Sequence, residues 1–278
     1  MKNIFLIISI SLFLVPNILN SNDNNNNTYS LDLNSKYLKN YWYDTKYILT
    51  SPSKWMIDDY FIFGSILTSA SCLYLYDEKL RDFFKDNQNK PANNIAYVAE
   101  KFGNKYYISS FLIGSYFSGY LFNNKRLTET ALLGFESLVI SAIFTHSLKQ
   151  LFHRHRPLAN DGNDVFDGPF YSGNHDLLSF PSGHSTSSFA VATIFANQYA
   201  QNNLFLSSII YSMATLTAIS RVYDDEHWAS DIFIGGIIGY LTGKTIYNLN
   251  QNRKNKISIT PISNFKSQSF GLNLIYKL

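Results

Sequence analysis

Residues 181–184 read Pro-Ser-Gly-His at the point where a polar, Gly-rich loop gives way to an apolar segment. The first turn of a helix leaves backbone N–H groups without partners and carries the positive end of the helix dipole, so it binds anions. Pro suits a first turn, Ser182 and Gly183 let an anion come close, and His184 can move a proton near neutral pH. The stretch therefore predicts an anion site, which requires further positive groups from elsewhere in the chain.

A basic cluster ends an earlier apolar segment, in the sequence HSLKQLFHRHRP. Lys149 and Arg156 are seven residues apart, close to two helical turns, so they share a face if the helix continues through both. Arg154 and His155 are out of phase with that face, and we expect them to point elsewhere. Basic residues at a helix C-terminus also offset the dipole, and taken alone the cluster is better explained by that structural role.

A second polar cluster follows a later apolar segment, in the sequence SRVYDDEHWASD. His227 and Asp231 are four residues apart, so on a helix they stack one turn apart. A carboxylate in that position can hold the imidazole tautomer and stabilise its cation, whereas an ordinary surface pair at this spacing is worth only about 0.3–0.5 kcal/mol. The acidic residues 224–226 are interpreted as a solvated turn, and Trp228 as a packing residue.

The three clusters together resemble the three-part motif of the superfamily that contains type-2 phosphatidic acid phosphatases, bacterial class A acid phosphatases and vanadium haloperoxidases. The order and internal spacing of that motif are complete here, and the resemblance covers about residues 58–248. The matching blocks are Lys149-x6-Arg156-Pro157, Pro181-Ser182-Gly183-His184 and Ser220-Arg221-x5-His227-x3-Asp231.

The resemblance implies a cationic cradle for a phosphate group. Lys149, Arg156 and Arg221 would bind the non-bridging oxygens, helped by Ser182 and the backbone N–H of Gly183. Arg suits this role because its planar fork meets two oxygens at once. Three cations and a helix terminus can meet the charge of the transferring group, so we expect no metal and no other cofactor.

The resemblance also implies a covalent mechanism. His227 would attack phosphorus to form a phosphohistidine, and Asp231 would keep the attacking nitrogen unprotonated. His184 would protonate the leaving alkoxide and then activate the water that releases phosphate. The expected activity is that of a phosphomonoesterase acting on a lipid phosphate or pyrophosphate, or on a small phosphate ester. A vanadium-dependent haloperoxidase and a non-catalytic phosphate-binding envelope protein are the alternatives.

Composition narrows the class of protein. Of the 278 residues, 46% are hydrophobic and 16% aromatic, which favours a lipid-linked substrate and contact with a membrane. The net charge of +3 is too small to indicate a nucleic-acid partner. The one cysteine, Cys72, cannot form an internal disulfide, and its apolar neighbours predict a buried, inert thiol.

The N-terminus combines a Lys, a short apolar run and an Asn-rich tract, which is the layout of a secretory signal peptide over residues 1–21. An uncleaved anchor is the alternative. Either form predicts export, with the protein periplasmic or membrane-associated and the site facing the periplasm. Residues 22–56 are interpreted as a flexible Asn-rich leader and lead-in.

Six apolar segments predict an all-α fold, a compact bundle of about six core helices over residues 57–250 that carries the phosphatase site. Their apolar cores fall short of the roughly 20 residues that span a bilayer, so we favour a periplasmic bundle lying on the membrane, although flanking basic residues fit a spanning form. The tail, residues 251–278, contains two strand-like stretches that predict a short β-hairpin. The six segments are approximately 57–76, 95–122 with a break at 103–105, 129–152, 184–200, 203–221 and 228–249.

Overall fold

A computed structural model of the protein describes residues 31–169, 178–264 and 269–276. The chain divides into two compact units, of which the larger extends to Lys256 and contains the helices. The smaller unit contains the two C-terminal strands. The predicted signal peptide and the Asn-rich tract after it lie outside the described residues.

Nine α-helices make up the described part of the larger unit, and the predicted all-α fold is confirmed. Short 3-10 turns at Ser51–Lys54 and Pro157–Ala159 join some of them. The helices are α1 (Ser35–Thr50), α2 (Ile57–Leu75), α3 (Asp77–Asp86), α4 (Lys90–Lys101), α5 (Lys105–Leu121), α6 (Lys125–Phe152), α7 (Gly183–Tyr199), α8 (Leu204–Tyr223) and α9 (Ala229–Lys256).

Helix α1 lies within residues 22–56, which the sequence analysis interpreted as an Asn-rich leader and lead-in and for which the apolar pattern predicted no helix. The side chain of Asn34 caps the helix by accepting a hydrogen bond from the Tyr37 N–H at 2.9 Å. The buried Tyr37 hydroxyl donates to the carbonyl of Leu132 in α6 at 2.7 Å. Tertiary contact therefore stabilises a helix whose largely polar sequence carries only a weak signal.

The central contact of the bundle joins α7 to α9 through small residues. Gly235 and Gly239 are one turn apart on α9, and both face the backbone of α7. A Cβ at Gly239 would lie 2.2 Å from the carbonyl oxygen of Thr186, and one at Gly235 would lie 2.5 Å from that of Ser182. Only glycine permits this approach, which sets the start of α7 against the start of α9.

Apolar side chains of α6, α7 and α9 fill the core around this contact. Leu133 and Ile140 from α6 pack with Ile194 from α7 and Ile246 from α9, and all four are at most 1% exposed. One hydrophobic core thus holds the helices that carry Lys149, His184 and Asp231.

The outer helices expose much of their apolar surface. None of the residues of α2 is buried, so Cys72 is exposed and the expectation of a buried thiol is wrong. Among the described helices, α6 with 28 residues and α8 with 20 are long and apolar enough to cross a membrane on length and composition. The sequence-based argument from short apolar cores therefore fails for these two. The bundle buries 56% of the most apolar stretch of α6 but only 33% of that of α8.

The predicted C-terminal hairpin is present in the backbone. Strand β1 (Ile257–Asn264) pairs antiparallel with β2 (Ser269–Tyr276), with Ile257 opposite Tyr276 and Asn264 opposite Ser269. The predicted connector, residues 264–269, is described only at its ends, where Asn264 and Ser269 belong to the strands. Residues 265–268 lie outside the described part of the chain.

Candidate active site

The first motif block lies at the end of α6. The helix ends at Phe152, and His153 adopts a left-handed conformation with φ 42°, so Lys149 and Arg156 do not share a helical face. The reversal at His153 still places the two charges close enough to interact with each other and with His227. The Lys149 ammonium donates to the carbonyls of residues 178 and 179 at 2.6 and 3.2 Å, which fixes the segment leading into the second block.

The second block starts α7 as the sequence predicts. Ser182 is the N-cap, its side chain accepts from the Ser185 N–H, and its own N–H donates to the carbonyl of Asp231 at 3.1 Å. A Cβ built on Gly183 would meet no atom within 4 Å, so open space adjoins the first turn. His184 follows and is partly exposed, with its Nε2 3.3 Å from Oε1 of Glu100 in α4.

The third block places an imidazole against a carboxylate. His227 is 3% exposed and lies just before α9, with its Nδ1 3.9 Å from Oδ2 of Asp231. Ser179 donates to the same carboxylate oxygen and lies 3.3 Å from the same Nδ1. The N–H of Trp228 donates to Asp231 at 3.1 Å, and the buried indole is a packing residue as predicted. Among the described residues, the hydrogen bond and the ion pair of the His227 ring both use Nδ1, which leaves Nε2 for a ligand.

Arg154 is the residue that the sequence analysis missed. It was expected to point away from the site, but its Nη1 donates to Asp231 Oδ1 at 2.6 Å and to Ser230 at 2.8 Å. Its Nη2 donates to Asp77 at 2.8 Å, and Asp77 accepts from the Ser230 N–H at 2.9 Å. The phase argument assumed a continuous helix, whereas the left-handed His153 turns Arg154 into the interior. His155 does lie elsewhere, between Asp161 and Asp167.

The acidic turn, residues 224–226, is not simply solvated as predicted. Asp224 pairs with Arg221, and Glu226 pairs with Arg156. Asp225 accepts two hydrogen bonds from Arg81 at 2.6 and 2.8 Å. Two of the three candidate phosphate-binding cations therefore have a carboxylate partner in this structure. The spacing of Arg221 and Asp224 was the available signal, since i,i+3 charges are neighbours on a helix.

Burial and charge set the ionisation of the His227–Asp231 pair. Burial lowers the pKa of His227 to about 3, against the opposing effect of Asp231, so the imidazole is neutral near pH 7. Burial alone would raise the pKa of Asp231, but the neighbouring His227, the charge of Arg154 and the hydrogen bond from Ser179 outweigh it and lower that pKa. The site therefore combines a neutral imidazole with an ionised carboxylate.

His184 has a different electrostatic environment. Burial and the charge of Arg221 lower the pKa of His184, and Glu100 opposes both. A group of this kind can exchange a proton in the neutral to acidic range.

The chain is similar to a known protein family and to several known proteins. Residues 130–255 match the model of the PAP2 superfamily. A 69-residue stretch is 41% identical to the lipid A 1-phosphatase of Porphyromonas gingivalis, covering 25% of this chain and 16% of that protein. A 152-residue stretch is 33% identical to a PA-phosphatase related-family protein of Dictyostelium discoideum, covering 49% of this chain and 55% of that protein. The chain thus spans about half or less of the length of these relatives.

A solved structure shares the fold. The crystal structure of the first transmembrane PAP2 type phosphatidylglycerolphosphate phosphatase, from Bacillus subtilis, matches with a TM-score of 0.55 and 20% identity. The match covers 71% of this chain and 98% of that one. All three motif blocks lie within the residues 130–255 that match the PAP2 superfamily model, and the resemblance drawn from them is confirmed by that match.

Proposed function

We propose that this protein is a metal-independent phosphomonoesterase that hydrolyses a lipid phosphate through a phosphohistidine on His227. The observation that carries the proposal is the neutral His227 held by an ionised Asp231, with Lys149, Arg156 and Arg221 nearby. A buried neutral imidazole is a nucleophile at neutral pH, and the guanidinium groups of Arg156 and Arg221 can stabilise the charge that develops on a phosphoryl group. Lys149, whose pKa burial lowers to about 7, adds a third donor.

Substrate binding begins with the phosphate oxygens. The buried Nε of Arg156 makes no hydrogen bond to any described residue, so it is a donor available to a ligand. Phosphate oxygens would also replace Glu226 on Arg156 and Asp224 on Arg221, because a dianion pairs more strongly with guanidinium than a single carboxylate does. Ser182 and the N–H of Gly183 would complete the cradle at the start of α7.

In the first chemical step, Nε2 of His227 attacks phosphorus. The N–P bond forms while the ester P–O bond breaks, and the electron pair leaves with the alkoxide oxygen. Protonated His184 gives its proton to that oxygen, so the alcohol departs neutral. Ser179 lies 3.3 Å from Nδ1 and donates to Asp231, and the carboxylate of Asp231, 3.9 Å from Nδ1, stabilises the positive charge that develops on the ring.

In the second step, water hydrolyses the phosphohistidine. His184, now neutral, takes a proton from the water as its oxygen bonds to phosphorus, and the N–P bond breaks. Inorganic phosphate leaves and His184 is protonated again. Each group returns to its starting state. The cations in the cradle stabilise the charge that develops on the phosphoryl group, as a metal ion does in other phosphatases.

A lipid substrate is supported by the exposed apolar surface of the bundle and by the similarity of the chain to the lipid A 1-phosphatase. Large apolar side chains are exposed on α2, α5 and α8, among them Phe61, Phe117 and Leu204. Exposed apolar surface on this scale marks a membrane contact. We therefore place the enzyme at a membrane after export, with its site on the periplasmic side, where a phosphorylated lipid can reach it.

Phosphate release in EDTA tests the proposal. Wild type should release phosphate from a detergent-dispersed lipid phosphate whether or not EDTA is present, and His227→Ala should release none above background. His146→Ala, an exposed histidine on α6, is the matched control and should keep wild-type activity. Loss of wild-type activity in EDTA would contradict metal independence. Peroxide- and vanadate-dependent halide oxidation in place of phosphate release would favour the haloperoxidase alternative.

A further inference from the structure

Asp77, the first residue of α3, is a fully buried acidic residue that lies outside the three motif blocks and before residue 130, where the family match begins. Its Oδ1 accepts a hydrogen bond from the Ser230 N–H at 2.9 Å. Its Oδ2 accepts from the Ser230 hydroxyl at 2.6 Å and from Arg154 Nη2 at 2.8 Å. All three bonds are donated to Asp77, a pattern that suits the ionised carboxylate.

The contacts with Ser230 place this carboxylate at the start of α9. Ser230 is the second residue of that helix, so its N–H is one of those that the helix itself leaves without a partner. A negative charge at a helix N-terminus is stabilising. Because Asp231 is the next residue and His227 lies just before the helix, Asp77 fixes the helix end that carries both.

The contact with Arg154 joins Asp77 to Asp231. The guanidinium lies between the two carboxylates, with its Nη1 2.6 Å from Asp231 Oδ1. The Ser230 hydroxyl accepts from the same Nη1 at 2.8 Å while it donates to Asp77. The other described hydrogen bonds of Arg154 go to the carbonyl of Asn163, so Asp77 and Asp231 are its two charged partners among the described residues.

Charge gives Asp77 a second effect on the site. Arg154 and Asp231 alone would form a neutral pair, and Asp77 adds the charge that makes the three groups negative together. Burial raises the pKa of Asp77, whereas Arg154 and Ser230 favour its charged form. Under the proposed function, on which this inference rests, positive charge develops on the His227 ring. A negative group stabilises that charge better than a neutral pair does, above all in a buried site where charges are weakly screened.

We propose that Asp77 is a positioning residue of the active site, which acts through Arg154 and the first turn of α9 to hold Asp231 beside His227. Its described hydrogen bonds and ion pairs include none of the candidate phosphate-binding cations. Asp77 should therefore support the chemical step and leave phosphate binding unchanged.

Asp77→Asn and the matched control Asp44→Asn test the proposal. Each removes the charge of a buried aspartate that pairs with an arginine, and Asp44 pairs with Arg253 away from the motif blocks. Asp77→Asn should lower kcat about tenfold, with KM and the inhibition constant of inorganic phosphate changed by less than about twofold. Asp44→Asn should keep kcat within about twofold of wild type. Thermal unfolding identifies a temperature at which each variant is folded for these measurements.

Two further variants test the route from Asp77 to Asp231. Ser230→Ala removes the hydroxyl that joins Asp77 to Arg154 but keeps both charges, so it should lower kcat about threefold, the effect of losing one hydrogen bond. This variant decides the question if Asp77→Asn does not fold. In an Arg154→Met background, Asp77→Asn should lower kcat by only about twofold or less, because residues that act through one network have non-additive effects.

The outcomes separate this role from the proposed function. Unchanged kcat in Asp77→Asn or in Ser230→Ala, or an equal loss of kcat in Asp44→Asn, overturns the positioning role while phosphate release by wild type continues to support the phosphatase. A full tenfold loss in the Arg154→Met background also overturns it. Folded wild type that releases no phosphate from a lipid phosphate overturns the proposed function and this inference with it.

Discussion

Two ion networks, each built on a buried aspartate, join distant segments of this chain. They differ in which residues they position. In the active-site network, Arg154 lies between Asp77 and Asp231, and both carboxylates are fully buried. In the terminal network, Arg253 of α9 bonds the buried Asp44 of α1 at 3.1 Å, beside Glu136 of α6. Each contains a buried aspartate paired with an arginine, which is expensive to form and expensive to break.

The difference lies in the neighbours of each aspartate. Asp231 is shared with His227, Ser179 and the N–H of Trp228, so the arginine that pairs with it also determines where the imidazole lies. Asp44 contacts no residue of the three motif blocks among its described hydrogen bonds and ion pairs, and its role is to fasten α1 to the bundle. Arg154 is 1% exposed and bonds two buried carboxylates, whereas Arg253 is 25% exposed and bonds one, so loss of Arg154 should cost more stability and should alone cost activity.

The largest expected effect comes from removing each arginine. Arg154→Met should lower the free energy of unfolding by about 3–5 kcal/mol, because it leaves two buried carboxylates unpaired. Arg253→Met should lower it by less, because Arg253 is 25% exposed and bonds only Asp44. Only Arg154→Met should also lower kcat, by about 100-fold with little change in KM, since Asp231 and His227 lose their alignment. Denaturant unfolding and steady-state kinetics on both variants measure the two effects.

A partial rescue sharpens this result. Arg154→Lys retains the charge but not the fork that bonds two carboxylates, so its kcat should lie between those of wild type and Arg154→Met. Equal kcat losses in Arg154→Met and Arg253→Met would mean that Arg154 is only structural.

The next effect concerns the backbone contact that brings Asp231 to Ser182. Gly239→Ala would place a Cβ against the Thr186 carbonyl and should destabilise the protein by about 1–3 kcal/mol. Gly64→Ala in α2 is the matched control, because a Cβ there meets nothing within 4 Å. It should stabilise by about 0.5–1 kcal/mol through helix propensity. Thermal unfolding of the two variants gives the comparison, and equal shifts would contradict the tight contact.

The pH dependence of kcat/KM reports on the protonation of His184, because His227 is neutral and Asp231 is ionised near pH 7. His184 must be protonated to act as the acid, so kcat/KM should fall as pH rises through its pKa, which burial and Arg221 set below the usual value. Glu100 favours the protonated form, so Glu100→Gln should move the alkaline limb to lower pH. Glu129→Gln, a carboxylate that pairs with Lys254, should leave that limb in place. A shift to higher pH in Glu100→Gln would reverse the assignment.

The smallest effect comes from the acidic turn. Asp224→Asn should strengthen inhibition by inorganic phosphate about twofold to fivefold, because Arg221 no longer has a competing anion. Asp225→Asn should change phosphate inhibition little, since Asp225 pairs with Arg81 and with none of the candidate phosphate-binding cations. Inhibition constants for the two variants, measured with one substrate at one ionic strength, test this contrast.

Much of the site could be predicted because its residues follow local rules. The N-cap at Ser182 and the close pair of His227 and Asp231 depend on neighbours within four residues. Arg154 could not be placed, because one left-handed residue, His153, changes the direction of every side chain after it. The partners of Asp225 and Asp77 lie far away in the sequence, at Arg81 and Arg154, and only the folded chain brings them together.

The fold was likewise predicted only in part. Apolar periodicity predicted the core helices, because the apolar residues of a buried helix face recur at helical spacing. Helix α1 was missed because its stability comes from contacts such as that of Tyr37 with α6. The exposure of Cys72 was missed because an apolar neighbourhood in sequence does not say whether another helix covers it.

If His227 carries the phosphoryl group during turnover, the covalent intermediate can be trapped on that residue. Wild type is mixed with a lipid labelled in its phosphate, quenched within one turnover and digested, and the labelled peptide is identified. Wild type should carry an acid-labile, alkali-stable label on His227, and His227→Ala should carry none. With a substrate whose leaving group needs no acid, the label should accumulate in His184→Ala. Label on another residue, or undiminished phosphate release by His227→Ala, would contradict the account.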